Sequence, residues 1–562
     1  MAAMEGDTIP SAYAGRWVAR LRGRIIAQGG TPDLALRAAR ASRHKEKPEI
    51  LYVPIEFTLP PLVDQVRAVL PDQEFYLVGG AVRDLLLGRR APDLDFAVPS
   101  NGVGLARRVA NSLGADYVTL DQERDTGRVV VTGQDGLRAY LDFAAYRSAG
   151  AGVSVSSASS LEADLRLRDF TINAIAYDLG QNVLLDPLDG AADLRTKQIR
   201  LCSPTSLSDD PLRVLRGVRL AVALGFQIEK ESRTAMKAAA AGLERVSPER
   251  QRDELFKIFE GPRPDSALRA LELLGVLPHV LPELPALKGV EQSAAHIHDV
   301  WNHTLAVLQS LESLLAALAV DYSADETNDL YTGLLTLRLG RYREQLAAHL
   351  ATALNADRSL RALLFFIALY HDVRKPQTRS VEDSGRVRFL GHDQQGAEVA
   401  ADRAASLRLS NDEIERLRIV ISSHMRFHFH SSRLEGESRE PSRKAIYRFF
   451  RDTGPAGVDL VLLGLADLRG TQGNSLKQET WGAALDVARL LLENYWEKPQ
   501  ETVSPPRLLD GLDLMKEFDL RPGPRIGKLL EAIREGQATG EISTRQAALE
   551  RARCWLAENP ES

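Results

Sequence analysis

The chain has 562 residues, with 71 Lys and Arg against 76 Asp and Glu, and a formal net charge of −5 at pH 7. Because a single hydrophobic core seldom grows past about 250–300 residues, this length predicts several domains. Apolar residues make up 44% and charged residues 26%, which is typical of folded proteins and excludes a largely disordered chain. A charge this close to neutral excludes a uniformly basic nucleic-acid coat but allows a local basic surface.

Residues 1–54 carry little core signal. The first residues, MAAMEGDTIPSAYAGRW, lack the charged and then apolar pattern of a secretion signal, so the expected location is the cytoplasm. The stretch Asp33–Arg43 has helical character, but no apolar pattern assigns it to a core. We therefore predict a poorly ordered N-terminal extension.

Residues 55–200 have the pattern of a small mixed α/β domain. Short β-type runs (EFYLVGG, DLDFAV, RVVVTG and RAYLDFAAY) alternate with glycine turns and with helical stretches at Gly80–Leu87 and Gly104–Leu113. Residues 148–160, SAGAGVSVSSASS, are rich in Ser, Gly and Ala and predict a mobile loop.

After Leu201 the strand signals nearly stop, and Leu- and Ala-rich helical periods continue to the C-terminus. Proline-rich breaks at 278–286 and 503–507 favour domain edges. The predicted fold class is therefore α+β, a small mixed α/β head followed by a long all-α body. The predicted helical parts are a neck (201–290), a body domain (291–475) and a tail (476–562).

Two further features exclude other classes of protein. The longest apolar run, Ala362–Tyr370, is far shorter than the roughly 18 residues of a membrane span, so no membrane partner is expected. The two cysteines, Cys202 and Cys554, are too few for a disulfide scaffold or a Cys-rich zinc site.

The densest chemistry of the head is the run VGGAVRDLLLGRRAPDLDFAV at 78–98. Gly79 and Gly80 follow an apolar strand and open a helix, where backbone N–H groups can hold a phosphate. Asp93 and Asp95 lie two apart in a predicted strand and so point to one face, where two like charges favour a hard cation such as Mg²⁺. Taken alone, such a pair is more often a solvated strand edge.

Asp142, in the strand-like run LRAYLDFAAYR, is a candidate third carboxylate. Three carboxylates beside a phosphate-binding turn are typical of two-metal phosphoryl or nucleotidyl transfer. In such sites one cation activates an attacking hydroxyl and the other neutralises the leaving pyrophosphate. The chain has no Gly-x₄-Gly-Lys-Ser/Thr loop, which argues against a P-loop enzyme.

The run GGAVRDLLLGRRAPDLDFAV resembles the class II CCA-adding enzymes, which mature tRNA 3′ ends, and the related bacterial poly(A) polymerases of the polymerase-β-like superfamily. Further segments match in the family's order, at 164–176, 184–200, 209–221 and 249–255, with a weaker likeness at 508–543. Five linked segments in one order make coincidence negligible. The resemblance implies a template-independent RNA nucleotidyltransferase that uses CTP and/or ATP, Mg²⁺ at the head, and tRNA.

The resemblance also implies roles for individual residues. It implies catalytic metal ligands at Asp93, Asp95 and Asp142. It implies nucleotide-binding residues at Gly79, Gly80, Arg83, Arg168, Asp169, Asn173, Asp210 and Arg213. Asp210 and Arg213 match the family's nucleotide-selecting pair, and their i,i+3 spacing predicts that both lie on one helix face, where they can read the edge of a base. Without the family, the same pair would indicate only a surface salt bridge.

The chain departs from the family pattern in three places. Leu167 stands where the family often has an arginine, and Asp209 stands where it usually has a glutamate. The loop at 148–160 lacks the arginine-rich stretch common in full CCA-adding members. These departures leave the base specificity open: the enzyme could add CCA, only CC, only the terminal A, or A tails.

Arginines recur along the predicted neck. Arg213, Arg216 and Arg219 follow at three-residue spacing, and Arg250 lies on a later helix. Such a stripe supplies phosphate contacts that carry affinity without reading sequence. We predict that Arg216, Arg219 and Arg250 bind tRNA; the alternative is a solvated helix face.

The body contains nine of the chain's 11 histidines, between residues 296 and 430. Their order with two aspartates resembles the HD phosphohydrolase superfamily, a helical fold that holds one or two divalent metals. The implied ligands are His303, His371, Asp372 and Asp467, with His392 and His424 added for a second metal. Mixed imidazole and carboxylate ligands suit Mg²⁺, Mn²⁺, Ni²⁺ or Fe²⁺. His428 and His430 match no ligand position and are expected at the surface.

The predicted function is therefore an RNA nucleotidyltransferase acting on tRNA 3′ ends, with an HD domain that either hydrolyses phosphate esters or serves only as a scaffold. A poly(A) polymerase is the alternative within the same class. A metal-dependent HD phosphohydrolase with a nucleotide-sensing head is the alternative from another class. The intact carboxylate set counts against a purely RNA-binding module, because clustered negative charge near phosphates does not help a binder.

Overall fold

The computed structural model describes residues 11–41, 46–91, 93–133, 138–146, 160–293, 295–323, 329–355 and 358–560. The chain forms two compact units, residues 1–242 and residues 243–562. The division falls inside the predicted neck at 201–290, so the first helices of that segment belong to the first unit. The predicted loop at 148–160 lies almost entirely outside the described residues.

The predicted poorly ordered extension at 1–54 is wrong for its described part. Residues from Arg16 onward form an antiparallel sheet of order β2–β1–β3 with one helix. Its elements are β1 (Arg16–Leu21), β2 (Arg24–Gly29), α1 (Pro32–Ala41) and β3 (Glu49–Val53). Its buried apolar side chains are small, Val18, Ala19, Ala35, Ala39 and Val53. Because arginines are interspersed among them, the apolar period was too weak to indicate strands.

The first unit is built around a seven-stranded sheet of order β10–β9–β4–β5–β8–β7–β6. Its strands are β4 (Tyr76–Val78), β5 (Asp93–Val98), β6 (Asp116–Asp121), β7 (Thr126–Thr132), β8 (Arg138–Ala145), β9 (Ala176–Asp178) and β10 (Val183–Leu185). The β5–β8 pair is parallel and the other neighbours are antiparallel. Phe96 and Phe143 stack across the parallel pair with ring centroids 4.8 Å apart. This mixed sheet confirms the predicted α/β head.

Helices and one short parallel strand pair complete the first unit. The helices are α2 (Pro61–Val69), α3 (Gly80–Leu86), α4 (Gly102–Leu113), α5 (Leu161–Arg166), α6 (Gly190–Thr196), α7 (Ser206–Asp209), α8 (Arg213–Leu224) and α9 (Lys230–Ala239). The strands of the pair are β11 (Gln198–Ile199) and β12 (Gln227–Ile228). A 3₁₀ turn at Thr171–Asn173 lies between α5 and β9.

In its described residues, the second unit is helical apart from one hairpin of β13 (Arg379–Val381) and β14 (Val387–Phe389). Its first helices are α10 (Pro248–Glu260), α11 (Pro264–Leu273), α12 (Leu277–Val280), α13 (Val300–Ala317), α14 (Leu330–Leu339), α15 (Arg343–Leu350), α16 (Leu360–Tyr370) and α17 (Lys375–Thr378). The rest are α18 (His392–Ser406), α19 (Asn411–Ser423), α20 (Met425–Glu437), α21 (Arg443–Thr453), α22 (Ala456–Gln472), α23 (Gln478–Trp496), α24 (Gly511–Phe518), α25 (Pro524–Thr539) and α26 (Arg545–Glu558). The predicted α+β class is confirmed.

Two buried helices organise the second unit. Almost every residue of α22 is buried, and α13 packs closely against it. A Cβ on Gly470 would lie only 2.9 Å from the Val307 backbone nitrogen, so glycine is needed for this close approach. The apolar run of α16 is likewise core, because every residue except Arg361 is buried. Within the described ranges, no helix combines the length and apolar character needed to cross a bilayer.

Candidate functional site

The sheet of the first unit brings the three predicted carboxylates to one face. Asp93 and Asp95 lie two apart on β5, so their side chains share a face. In the parallel β5–β8 register, Asp95 is directly opposite Asp142. Burial raises the pKa of Asp95 above its usual range; Arg168 opposes this rise, and the charges of Asp142 and Asp93 add to it. Clustered negative charge of this kind favours a bound cation.

Beside the carboxylates lies an open cleft of about 430 Å³. It is lined by Gly79, Gly80, Ala81, Arg83, Asp84, Ala91, Asp93, Asp95, Arg168, Asp169, Asn173, Arg213, Arg216, Arg219 and Leu220. Gly79 has φ +72°, and a Cβ there would lie 3.0 Å from Asp95 Oδ2 and 3.1 Å from Arg168 Nη1. Glycine is therefore required on both counts, and the turn exposes backbone to the cleft.

A chain of hydrogen bonds fixes the cleft's floor. Arg83 Nη1 donates to Asn173 Oδ1 at 2.8 Å, and Asn173 Nδ2 donates to Asp169 Oδ1 at 3.0 Å. Arg216 Nη1 lies 3.4 Å from Asp169 Oδ2. Although burial alone would raise it, Arg216 and the Asn173 hydrogen bond hold the pKa of Asp169 below its usual range. The structure thus connects three of the residues predicted to bind nucleotide.

The predicted helix face shared by Asp210 and Arg213 is wrong. Asp210 has extended backbone (φ −149°, ψ 97°) and precedes α8, which begins at Arg213. The reason is Pro211, because a residue before proline avoids the helical region. The Arg213 side chain is buried, and it donates to the carbonyls of Leu167, Arg168 and Ser206. Much of its hydrogen-bonding capacity therefore serves the fold, and Asp210 does not line the cleft.

The three predicted RNA-binding arginines have different surroundings. Arg216 and Arg219 are half-buried on α8 and line the same cleft as Asp93 and Asp95. Arg250 is exposed on α10, in the second compact unit. The predicted stripe is therefore split, with two members facing the carboxylate cleft.

One residue of the head was missed by sequence reasoning. Arg128 on β7 donates to both oxygens of Asp142, from Nε and from Nη2, at 2.7 Å each. In the described part of the chain, two groups of three residues have candidate metal-ligand atoms within 4.8 Å of one another, and both groups lie in the second unit. Asp93, Asp95 and Asp142 are therefore not this close together. No local sequence pattern indicates Arg128, because its partner depends on the register of β7 against β8.

The second unit brings all six predicted HD residues together. They form two buried groups, in each of which the ligand atoms lie within 4.8 Å of one another. The groups are His303, His371 and Asp467, and Asp372, His392 and His424. Asp372 links them, because its Oδ2 lies 3.1 Å from His371 Nε2 and its Oδ1 lies 3.4 Å from His392 Nε2. The spacing fits two cation positions that share one carboxylate.

Three imidazoles of this centre are oriented by their own backbone. His371, His392 and His424 each place Nδ1 2.6–2.8 Å from the carbonyl oxygen three residues earlier. Because a carbonyl only accepts, Nδ1 carries the proton and Nε2 is left with a lone pair aimed at the centre. This carbonyl support is the arrangement found around metal-binding histidines.

Buried polar atoms at the centre lack hydrogen bonds. They include Nε2 of His303, Nε2 of His371 and Oδ1 of Asp372. Unpaired buried lone pairs are costly unless a cation or proton satisfies them. Burial opposes ionisation, yet the neighbouring His371 and Lys375 hold the pKa of Asp372 well below its usual range. The donor set therefore fits a divalent metal.

Two more residues belong to this centre. His428 was expected at the surface, but it is half-buried and its Nε2 lies 2.7 Å from Asp467 Oδ2. Lys375 is buried, and its Nζ lies 2.7 Å from Asp372 Oδ2 and donates to Gln292 Oε1. The spacing of His428 could have indicated this position, because it follows His424 at an i,i+4 offset, which places the two on adjoining helical turns.

The sequence matches four family models. They are the Poly A polymerase head domain (75–200), the "Probable RNA and SrmB- binding site of polymerase A" (225–287), the HD domain (336–449) and tRNA nucleotidyltransferase domain 2 (505–552). The first covers the carboxylate sheet. The HD match includes His371, Asp372, His392 and His424, and the structure adds His303 and Asp467 from outside its limits.

Individual relatives extend over most of the chain. The A-adding tRNA nucleotidyltransferase of Deinococcus radiodurans is 32% identical over 492 residues, which are 86% of this chain and 96% of that protein. The CC-adding tRNA nucleotidyltransferase of Thermus thermophilus is 33% identical over 484 residues, 85% of this chain and 92% of that protein. The apo form I structure of a CCA-adding enzyme aligns with a TM-score of 0.55 at 20% identity, covering 89% of this chain and 95% of that chain, and supports the fold.

Fold, cleft and family matches together define an enzyme of the nucleotidyl-transfer class with a poly(A) polymerase-type head and an HD domain. More narrowly, the chain belongs to the tRNA nucleotidyltransferase family.

Proposed function

We propose that this enzyme adds C and/or A nucleotides to tRNA 3′ ends from CTP and/or ATP without a template. The observation that carries the proposal is the register of β5 and β8, which sets Asp142 beside Asp95, and Asp95 lines a cleft that is also lined by arginines. Relatives named for tRNA substrates cover nearly the whole chain and support the choice of RNA.

In this proposal, Asp93 and Asp95 hold Mg²⁺, with Asp142 as the third carboxylate. Bound Mg²⁺ neutralises the triphosphate and lowers the pKa of the attacking 3′-hydroxyl. The backbone at Gly79 and Gly80 leaves room for phosphate to approach closely. Arg83 supplies a fixed positive charge, because Asp84 and Asn173 hold its guanidinium in place.

The nucleotide sugar and base take the rest of the cleft. We assign the sugar to Arg168, Asp169 and Asn173, since Asp169 and Asn173 form one hydrogen-bonded group and Arg168 lies beside Asp95. Base selection by Asp210 and Arg213 stays a prediction, and it requires Asp210 to turn toward the cleft. Arg216 and Arg219 then serve the triphosphate or the RNA end rather than a distant part of tRNA.

The base specificity remains open between the two relatives, because the A-adding and CC-adding proteins are almost equally similar. The test supplies CTP and ATP separately with tRNA that ends before CCA, tRNA that ends after CC, and an unrelated RNA. Incorporation into one or both tRNAs and not the unrelated RNA supports the proposal. Equal A-tailing of unrelated RNA would instead support a poly(A) polymerase.

The cytoplasmic location also stays a prediction, and tRNA as substrate is consistent with it.

The buried centre favours a second function, metal-dependent hydrolysis of a phosphate ester. Six convergent candidate ligands, three of which (His303, His371 and Asp372) have buried polar atoms without hydrogen bonds, are more than a scaffold needs. A divalent metal, Mg²⁺, Mn²⁺, Ni²⁺ or Fe²⁺, suits the mixed nitrogen and oxygen ligands. Metal analysis and 2′,3′-cyclic-phosphate hydrolysis test the idea, with Asp372→Asn as the inactivating variant. If the wild type holds no metal and has no activity that depends on Asp372, the domain is a scaffold.

A further inference from the structure

The third carboxylate of the head is held by an arginine from the neighbouring strand. Arg128 lies directly opposite Asp142 in the antiparallel β7–β8 register. Its Nε donates to Oδ1 and its Nη2 donates to Oδ2, both at 2.7 Å. One guanidinium therefore engages both oxygens, which is the strongest pairing geometry between these two groups.

The same pair is supported but not sealed from solvent. The Arg128 guanidinium lies 4.9 Å from the ring centroid of Tyr140, two residues before Asp142 on β8. The hydrogen bond with Asp142 raises the pKa of Arg128 above its usual range. The exposed fractions of the two side chains are 35% and 20%. A partly exposed ion pair is weaker than a buried one, so a competing cation or anion can open it.

Asp93 and Asp95 differ from Asp142 in this respect. Among the described residues, neither has a salt bridge within 4.0 Å, whereas Asp142 has a bidentate one. A first cation therefore needs no ion pair to break at Asp93 and Asp95. Because the Arg128 guanidinium occupies one lone pair on each oxygen of Asp142, a cation must compete with it for this carboxylate.

We propose that Arg128 is a positioning residue, and that it keeps Asp142 away from the head's cation until the Arg128–Asp142 ion pair opens. The proposal rests on the proposed function, because it takes Asp93 and Asp95 as the primary cation ligands. The enzyme would then hold its first cation with Asp93 and Asp95. Asp142 would become available as a third ligand only when Arg128 binds another anion. An incoming phosphate group is an anion of the right chemistry for a guanidinium.

A simple charge effect makes a different prediction from this mechanism. If Arg128 acted only by repelling cations, replacing it would tighten cation binding by the same factor with or without Asp142. If it withholds Asp142, the contribution of Asp142 should be small when Arg128 is present and large when it is absent. A double-mutant cycle separates the two cases, because it measures the coupling itself.

The experiment measures Mn²⁺ binding by electron paramagnetic resonance on the full-length chain without nucleotide. The Asp372→Asn substitution is present throughout to weaken the body centre, and only the Mn²⁺ that is lost when Asp93 and Asp95 are both changed to Asn is counted. Asp142→Asn should weaken Mn²⁺ binding less than about twofold with Arg128 intact and about tenfold in the Arg128→Gln background. Arg128→Lys, which keeps the charge but cannot form the bidentate pair, should give an intermediate value.

Matched controls keep the outcomes distinct. Arg124→Gln removes an equal charge from the exposed turn between β6 and β7. It should leave the contribution of Asp142 to Mn²⁺ binding unchanged. Equal factors for Asp142→Asn in the two backgrounds would overturn the proposal, provided thermal melting shows that the variants fold. If the Asp372→Asn protein binds no Mn²⁺ that depends on Asp93 and Asp95, the failure lies instead in the proposed head site.

Discussion

The head and the body each gather acidic residues for a cation, but they do so in opposite surroundings. In the head, Asp93 is exposed at an open cleft, and nearby arginines share the compensation of charge. In the body, six ligands are buried and several of their polar atoms have no hydrogen bond. We infer from this difference that the body is suited to retain a resident cation, whereas the head suits a cation that arrives with an anionic substrate.

The largest expected effect would separate the two regions by activity. Asp95→Asn should lower nucleotide incorporation at least about a thousandfold, because it removes a carboxylate from the cation and leaves transition-state charge uncompensated. Single-turnover incorporation into tRNA measures this effect. Metal content of the body and any cyclic-phosphate hydrolysis should stay at the wild-type level. A parallel loss of both activities would contradict the independence of the regions.

The next effect concerns the stability of the body. Arg358 and Glu413 form a bidentate pair at 2.8 and 2.7 Å, and both side chains are buried. Glu413→Gln should lower the free energy of unfolding by about 3–5 kcal/mol, because the buried guanidinium of Arg358 loses the opposite charge of its bidentate carboxylate. Urea unfolding at pH 7 measures this loss. Glu398→Gln, which breaks an exposed pair with Arg418, is the matched control and should cost less than about 1 kcal/mol.

The Arg358–Glu413 pair also predicts that the free energy of unfolding falls at low pH. Although burial opposes it, Arg358 and the Ser410 N–H hold the pKa of Glu413 below the usual 4.5. A carboxyl with a lowered folded-state pKa stabilises the fold above its unfolded pKa, and this stabilisation is lost as the pH falls through the folded value. Unfolding from pH 6 down to pH 3 should therefore show a loss below about pH 4.5 that Glu413→Gln lacks. An identical slope in the variant would assign the loss elsewhere.

A smaller effect tests the support around the buried centre. His428→Ala should weaken divalent metal binding about 10- to 100-fold, because Asp467 loses the neighbour that orients it. Metal titration by calorimetry measures the change. His430→Ala, two residues along the same helix, serves as the control and should leave metal affinity unchanged. Equal losses in both variants would indicate a general disturbance of α20.

The smallest effect compares two arginines that sequence reasoning grouped together. Arg250→Ala should lower tRNA affinity a few-fold and reduce the salt slope by about one, as expected for one exposed phosphate contact. Arg216→Glu should weaken tRNA binding more than it harms folding, and it should also raise the KM for nucleotide because Arg216 lines the cleft. A tRNA titration with unchanged affinity and salt slope in both variants would remove them from the RNA surface.

Much of the head and body was predictable from short-range sequence patterns. The Asp-x-Asp strand, the glycine turn at Gly79 and the switch from strands to helices after Leu201 depend on local period and turn chemistry. The six candidate histidine and aspartate ligands of the body could be proposed from the sequence, because their order along the chain matched the HD pattern. The structure brings all six together.

What could not be predicted depends on register and on competition between local rules. The pairing of Arg128 with Asp142 requires the alignment of β7 on β8, which no local pattern specifies. The prediction that Asp210 and Arg213 share a helix face was wrong, because Pro211 disfavours helical backbone at Asp210. The N-terminal sheet was missed because its buried apolar residues, such as the adjacent Val18 and Ala19, are small and lie between arginines.

The carbonyl bonds beneath His371, His392 and His424 have a consequence for how the centre can change over time. Each ring is aimed by a peptide group three residues earlier in its own segment, rather than by the other ligands. Loss of one ligand therefore leaves the others pointing inward, and function should decline in steps instead of collapsing. In a centre with independently oriented side chains, ligand residues can be substituted one at a time. Its preference for a particular metal can therefore change while the surrounding helices stay the same.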